Sequence, residues 1–288
     1  MKVLILGHQG NLGTQLFKVF VADNNYEAVG LDRSDFDLLN PQSVVDKINE
    51  VKPAIIINAT AYNAVDKCEE DAEEFALAKK INGEAVGYIA AAALEAGALF
   101  IHYSTDYVFA GDNQNGYRED DAPAPINNYG RSKLLGEEAV TKKSEQGLKY
   151  YLIRTSKLFG PRGLAPASKP SFFDLMLDLA NKRDELEIVN EEVSAFTYTP
   201  DLAFKTKELI DKKAPFGVYH LVNSQPATWY EAASELFKIK GIHVKIEPVA
   251  STKFPRPALR PKYSYLLNTK FITLRDYPEA LKDYLNNN

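Results

Sequence analysis

Gly7, Gly10 and Gly13 stand at Gly-x-x-Gly-x-x-Gly spacing directly after the apolar run Val3 to Leu6 and at the opening of an amphipathic stretch, Leu12 to Val21. With 16 glycines in 288 residues the spacing is expected about 0.05 times by chance, before that strand-then-helix context is required. Coincidence is therefore a poor account of it. Glycines here let backbone N–H groups, those of Asn11 and Leu12 among them, approach an anion at the positive end of a helix, the arrangement that receives a dinucleotide pyrophosphate. A chain that opens this way is committed to a parallel sheet with crossover helices.

The next 150 residues keep that rhythm. Val3 to Leu6, Ala28 to Leu31, Ile55 to Asn58, Leu99 to Tyr103 and Tyr151 to Ile153 read as strands. Leu12 to Val21, Pro41 to Val51, Ala72 to Ala96 and Tyr129 to Thr141 read as helices. Unbroken runs such as Ile55-Ile56-Ile57 suit strands buried on both faces, Pro41 suits a first helical turn and Gly97 a helix stop. The expected fold class is α/β, a doubly wound parallel (Rossmann) sheet with a smaller C-terminal α/β substrate lobe. From Phe159 onward Gly-Pro-Arg-Gly and Ala-Pro-Ala-Ser-Lys-Pro announce a loop and the elements shorten. The expected division is residues 1–158 for the dinucleotide-binding domain, with a returning segment about 184–222, and 159–183 with 223–288 for the substrate lobe.

Composition excludes several classes of function. The formal net charge of -5 leaves no basic surplus for a nucleic-acid backbone. The apolar run Ile89 to Leu94 is far short of the ~20 residues that span a bilayer, so no membrane partner is expected. One cysteine, Cys68, rules out an internal disulfide, and the four histidines show no metal-ligand spacing. The expected setting is the reducing cytoplasm, with no metal.

Asp32 ends the second strand 19 residues after Gly13, close to the ~20 expected for a carboxylate that accepts from an adenosine ribose. Arg33 beside it offers a guanidinium to a 2′-phosphate, so the pair implies use of both NADH and NADPH. Asp37 and Leu38 fall near the adenine edge if their loop folds back. Tyr129 and Lys133 stand four apart in a helix, on one face. A second such pair, Tyr150 and Arg154, lies in a strand, where positions four apart are distant. Tyr129 follows Ser104-Thr105-Asp106, the end of the fourth strand, by about two dozen residues, and that carboxyl edge is where doubly wound sheets bind ligands. An ammonium and a ribose beside the phenol stabilise tyrosinate, making Tyr129 a candidate proton donor to a reduced carbonyl.

These segments resemble the extended short-chain dehydrogenase/reductases and, within them, the dTDP-4-dehydrorhamnose reductase family. The resemblance rests on Gly7-His-Gln-Gly-Asn-Leu-Gly13, Asn58-Ala-Thr-Ala-Tyr-Asn-Ala-Val-Asp-Lys67, Ile81-Asn-Gly-Glu, Ser104-Thr-Asp-Tyr-Val-Phe109, Tyr129-Gly-Arg-Ser-Lys133, Arg154-Thr-Ser and Arg260-Pro, and it spans nearly the whole chain. It implies reduction by NAD(P)H of the C4 ketone of a nucleotide-linked 4-keto-6-deoxyhexose, with a homodimer admitted. By the same resemblance Thr105 hydrogen-bonds the ketone, Tyr129 protonates it, and Lys133 binds ribose and tunes Tyr129. Ala59, Thr60, Ala61 and Tyr62, together with Tyr103, would line the nicotinamide side.

The chain departs from that family where the sugar would sit. Lys157 occupies a position that is often Trp, Ser194-Ala-Phe-Thr197 replaces Gly-x-Pro-Thr, and Tyr277 replaces Trp. Lys157 is expected either to turn outward to solvent or to contact a phosphate or polar sugar substituent. Ser104, Thr105, Lys157, Arg256 and Arg260 are the candidate substrate residues, the two arginines as grips on a nucleotide diphosphate with Lys262 near them. The run Glu69, Glu70, Asp71, Glu73 and Glu74 reads as a solvated helix start. Two other readings share these motifs: a sugar-nucleotide epimerase or dehydratase, the latter disfavoured because Tyr107 follows Asp106 where dehydratases carry Glu, and a non-catalytic NADP-binding regulatory subunit.

Overall fold

In the computed structural model, which describes residues 1–166 and 168–287, β1 (Lys2–Leu6), β2 (Glu27–Leu31), β3 (Ile55–Asn58), β4 (Leu99–Thr105), β5 (Tyr150–Thr155) and β9 (Gly217–His220) form one parallel sheet in the order β2-β1-β3-β4-β5-β9. The order reverses at β1, so the carboxyl ends of β1 and β3 border the crevice in which such sheets bind ligands. Side chains alternate across the sheet. Val3, Ile5, Ile57, Ile101 and Ile153 face α1 (Asn11–Val21) and α8 (Thr199–Asp211), and Leu4, Leu6, Ile56 and Phe100 face α2 (Pro41–Val51) and α5 (Ala85–Glu95). Each fully buried Leu, Ile or Phe contributes about 1.5–3 kcal/mol, which is why both faces are covered.

The stretch Ala72 to Ala96 is not one continuous α-helix. After a short α3 (Lys67–Glu70) it runs as α4 (Ala72–Lys79), a π turn (Lys80–Glu84) and α5. The wider turn places Asn82 inward, and Gly83 admits Leu135, which a Cβ at that position would meet at 2.9 Å. Such π turns are frequent at functional sites.

The smaller lobe packs α7 (Phe172–Ala180), α9 (Trp229–Lys240) and α10 (Tyr277–Asn286) on two short parallel pairs, β7 (Glu185–Val189) with β10 (Lys245–Val249) and β6 (Leu158–Phe159) with β8 (Thr197–Tyr198). Ser171 and Thr228 start α7 and α9 with capping boxes. Phe159, Phe173, Phe196, Tyr198 and Tyr277 form the aromatic core. The returning segment needs correction: β7 pairs with β10 and not with the large sheet, so the chain comes back at α8 and β9 rather than at 184. In Glu185-Leu-Glu-Ile-Val every second residue is apolar or buried on one face, the pattern of a half-buried strand on a small sheet rather than a central one.

Candidate functional site

The glycine-rich turn is built by close backbone approach. Gly7 has φ +78°, and a Cβ there would sit 3.2 Å from Ala59 and Thr60, across the crevice from β1. A Cβ on Gly13 would come within 2.0 Å of the Gly7 carbonyl oxygen, so only glycine lets α1 start this near the strand. Gly10 is the N-cap of α1 and supplies no side-chain cap, which leaves the N–H groups of the first turn, at Asn11 and Leu12, for an anion. These features fit a dinucleotide pyrophosphate. The Asn11 side chain also spans to the other lobe: its Oδ1 accepts from Gly163 N at 2.8 Å and its Nδ2 donates to Lys169 O at 3.2 Å.

Asp32 follows the end of β2, where its Oδ2 accepts from Gln9 N at 3.0 Å and lies 2.5 Å from His8 Nδ1 without a hydrogen bond between them. Arg33 is exposed and forms no ion pair among the described residues. Asp37 is exposed and caps its own loop by accepting from Leu39 N, while Leu38 packs against the core on the α2 side. Beyond β3, Thr60 donates through N and Oγ1 to Asn58 Oδ1, and Tyr62 N donates to Asn82 Oδ1 at 2.8 Å. Asn82 Nδ2 in turn donates to Tyr62 O and to Ser132 Oγ. One buried amide thus ties the Ala59–Tyr62 backbone to α6 (Asn128–Ser144), the helix that carries Tyr129 and Lys133. The acidic run is also more than a solvated start, because Glu74 accepts from the Tyr62 hydroxyl and Glu69 from Asn128 N.

At the end of β4, Thr105 is buried and its hydroxyl donates to Asp106 Oδ1 at 3.1 Å while accepting from Tyr107 N. Asp106 is buried too, and its Oδ2 accepts from Ser194 at 2.9 Å and Ser264 at 2.6 Å. Burial raises its carboxyl above the usual range, against the pull of those hydroxyls. Half-buried Tyr129 packs edge-on against Tyr107, and its hydroxyl reaches Asn63 Oδ1 at 3.4 Å. Burial and the Asp106 carboxylate hold the phenol protonated well above its ordinary range, with the Thr105 side chain hydrogen-bonding against them. Lys133 Nζ donates to the Tyr103 carbonyl at 2.7 Å, and burial lowers the amine to about 8. The structure thus places Thr105 and Tyr129 each against Tyr107, and directs the Lys133 ammonium to the strand backbone rather than to the phenol. Tyr103 enters through that carbonyl, since its hydroxyl is spent on Thr206 in the core. Ser104 points to the opposite face from Thr105, buried and without a hydrogen-bond partner among the described residues.

Lys157 does not turn outward to solvent. With φ +37°, it turns inward, donates to Glu192 O at 3.0 Å and lies 4.0 Å above the Trp229 ring and 4.8 Å from that of Phe196. Burial lowers its amine to about 7, opposed by the Asp106 and Glu192 carboxylates. The chain's one tryptophan, Trp229, thus arrives beside position 157 from α9, held by Nε1 donating to Glu192 Oε2 at 2.8 Å. Arg256 also faces Glu192, at 3.5 Å. Arg260 is committed elsewhere, donating to Asp66 at 2.7 Å and to Ala258 O, a tie between the C-terminal segment and the loop after β3. Asn82, Ser132, Asp106, Glu192 and Trp229 were not singled out by motif spacing as site residues. Asn82, Asp106 and Ser132 lie within the quoted segments Ile81-Asn-Gly-Glu, Ser104-Thr-Asp-Tyr-Val-Phe109 and Tyr129-Gly-Arg-Ser-Lys133, whereas Glu192 and Trp229 carry no local signal.

A parallel sheet with this turn at its switch point, and a Tyr-x-x-x-Lys helix beside the end of β4, is the fold of a short-chain dehydrogenase/reductase. The model of the RmlD substrate binding domain matches residues 1–288, and the chain belongs to that family. It is 37% identical to the dTDP-4-dehydrorhamnose reductase of Escherichia coli (strain K12), over 99% of this chain and 97% of that one. Among solved structures it resembles the dTDP-4-dehydrorhamnose reductase of Clostridium acetobutylicum, with TM-score 0.91, 38% identity and 99% of each chain covered. The enzyme of the same name from Bacillus anthracis, in complex with NADP, gives TM-score 0.90 at 33% identity, covering 100% of this chain and 99% of that one.

Proposed function

We propose that this chain is an NAD(P)H-dependent nucleotide-sugar 4-ketoreductase that converts dTDP-4-dehydro-L-rhamnose to dTDP-L-rhamnose. The observation that carries the reading is that Thr105 and Tyr129 both pack against Tyr107, past the end of β4 on the edge where the glycine-rich turn opens, in a chain that matches the reductase family from end to end. Bound NAD(P)H supplies the hydride. Tyr129 holds its proton through the working pH range and delivers it to the carbonyl oxygen, and Thr105 donates to the same oxygen. Lys133 anchors the cofactor ribose with the N–H groups its bond to Tyr103 leaves over. Gly7, Gly10 and Gly13 admit the pyrophosphate to the N–H groups of Asn11 and Leu12, and Asp32, Arg33, Asp37 and Leu38 border the adenosine. Ala59 to Tyr62, held by Asn82, border the nicotinamide, while Lys157 and Arg256 sit on the sugar-nucleotide side.

Among the described residues no helix is long and apolar enough to cross a membrane, and no group of three acidic, His or Cys side chains is placed to hold a metal. The reaction belongs in the cytoplasm, where the reduced cofactor is made, and the reading admits a homodimer. Purified chain is expected to oxidise NADPH only when a 4-keto-6-deoxy sugar nucleotide is supplied. Cofactor binding with no turnover across a panel of nucleotide 4-keto sugars would favour the regulatory-subunit reading instead, and oxidation that ignores the sugar would overturn the ketoreductase reading.

A further inference from the structure

Behind the loop that follows β3 stands a buried polar pair that the proposed chemistry leaves unused. Asn58, the last residue of β3, and His102 of β4 are register partners in the sheet, and both are fully buried. Asn58 Oδ1 is filled from the loop, by Thr60 N at 3.1 Å and by Thr60 Oγ1 at 2.6 Å. A backbone N–H can only donate, so this edge of the amide is its carbonyl, and the other edge is the NH2 group that lies 3.2 Å from His102 Nδ1. Nδ1 must then accept, which leaves the ring proton on Nε2. Burial and the charge of Lys133 hold the imidazole well below its usual range, so the ring is uncharged. Nε2 has no hydrogen-bond partner among the described residues, and it faces α6 at Gly136, where a Cβ would stand 3.3 Å from it. A buried N–H without a partner is costly, so stability alone does not account for a histidine here.

We infer that His102 is a positioning residue for hydride transfer, whose Nδ1 lone pair holds the Asn58 amide in the one orientation that fastens Thr60 and, with it, the backbone proposed to border the nicotinamide. A side-chain amide has two orientations of nearly equal shape. Turned over, Asn58 would set its NH2 group against Thr60 N, donor against donor, and a lone pair at Nδ1 disfavours that state from the other side by facing the amide carbonyl. The loop is close-set, since a Cβ on Gly7 would stand 3.2 Å from Ala59 and Thr60, so a shift at Thr60 is passed to its neighbours. Tyr62, at the far end, is held separately by Asn82, which leaves Ala59 and Thr60 to the Asn58–His102 pair. The inference rests on the proposed ketoreductase function and adds a residue that positions its cofactor.

The test joins a spectrum to kinetics. Ring-nitrogen NMR of the histidine-labelled full chain, with the His102 signals assigned by their loss in His102→Asn, is expected to show an uncharged ring carrying its proton on Nε2; a proton on Nδ1, or on both nitrogens, overturns the inference even if no variant folds. In turnover, His102→Leu is expected to lower kcat about tenfold while changing NADPH affinity less than about threefold, because the pyrophosphate and adenosine contacts lie elsewhere and misplacement acts on the transfer step. His102→Asn, whose Oδ1 can accept where Nδ1 did, should return kcat to within about threefold of the unaltered chain, a rescue that a merely space-filling histidine would not show. Equal kcat in the Leu and Asn variants overturns the assignment. No turnover by the unaltered chain overturns the ketoreductase reading and the role drawn from it, whereas turnover with the wrong tautomer overturns this inference alone.

Discussion

The glycine-rich turn and the Asp106 pocket lie along the same edge of one sheet, yet different forces assemble them. At the turn, contacts join neighbours in sequence or in register: Gly13 against Gly7, Gly10 N to Gly7 O, Gly7 N to Leu31 O and His8 against Gly30. Backbone geometry does most of the work, and the side chains that matter are mainly those that are absent. At the pocket, a buried carboxylate is satisfied by hydroxyls 88 and 158 residues away, and a half-buried ammonium is held by a carbonyl and an indole from two further elements. Polar groups out of water must find partners or lose about 1–3 kcal/mol each, so the pocket depends on the smaller lobe being docked, whereas the turn rests mainly on the large sheet, with Asn11 and Gln9 its ties to the loop beyond β6. A cofactor site of this kind tolerates sequence change wherever the glycines stay. A sugar site can be rewired by one substitution that redirects a polar contact.

The largest effect should come from Tyr129→Phe, which leaves both regions folded and removes the proton donor. A loss of about 10²–10⁴ in kcat, with NADPH affinity near that of the unaltered chain, is expected from steady-state kinetics and cofactor titration. A near-normal kcat would move the acid elsewhere and unlink Thr105 from the reaction.

Glu137→Ala probes whether the two regions share one foundation. Arg154 donates to both Glu137 oxygens at 2.7 to 3.2 Å, donates to Glu119 O, lies over the Phe109 ring at 4.9 Å, and both members of the pair are buried. Removing one partner strands a buried charge, at a cost of about 3–5 kcal/mol, read by denaturant melts. The pair stands behind α6 and β5, so cofactor and sugar binding should fail together as the chain unfolds; a variant that loses only sugar turnover would show the pocket to be independently unstable.

Lys157 sharpens the contrast by titration. Its amine, lowered to about 7 by burial, is cationic below that value and neutral above it. If the cation holds a polar sugar or phosphate group, kcat/KM should fall as pH rises through about 7, by roughly tenfold, and Lys157→Arg should remove the fall. Stability carries the opposite sign. Unfolding restores the ordinary amine value of 10.5, so the unfolded chain binds more protons between about 7 and 10.5, and stability should decline as pH is lowered across that window. Lys157→Met should lack that slope in melts run at pH 7 and pH 9. Lys157→Trp, which places two indoles at one wall, should move kcat/KM toward the dTDP-rhamnose precursor relative to more polar analogues. An unaltered preference in both Lys157→Trp and Lys157→Ala would show that position 157 does not set specificity.

The smallest effect belongs to the adenosine end. Arg33→Ala should weaken NADPH a few-fold more than NADH, since an exposed charge is well screened, about 0.2–1 kcal/mol. Equal losses would remove Arg33 from the 2′-phosphate.

What could be read in advance follows the same division. Strands of three or more consecutive aliphatic residues, the Gly7-Gly10-Gly13 turn and the Tyr129–Lys133 spacing are local patterns, legible because a few neighbouring residues carry the whole signal. The π turn was not legible, since Ala72 to Ala96 has an unbroken helical texture and the wider turn exists to place Asn82 between Tyr62 and Ser132. The returning segment begins at α8 rather than at 184, because a five-residue strand such as Glu185–Val189 carries no mark of its partner. Arg260 was read as a phosphate grip, yet Asp66 claims it from 194 positions away.

By itself the sequence determined a parallel sheet with a nucleotide-type turn at its first crossover, because glycine spacing and strand periodicity act through the backbone and need no distant partner. Only the tertiary structure decided where the polar chemistry beyond that turn would settle. The seating of Asp106 among Ser194 and Ser264, and the pairing of Lys157 with Trp229, each depend on which side chains the packed lobes bring within 4 Å of one another. The reason is physical: a buried polar group takes its state from whatever donor or charge lies beside it, and that neighbour is chosen by the docking of elements, not by sequence distance.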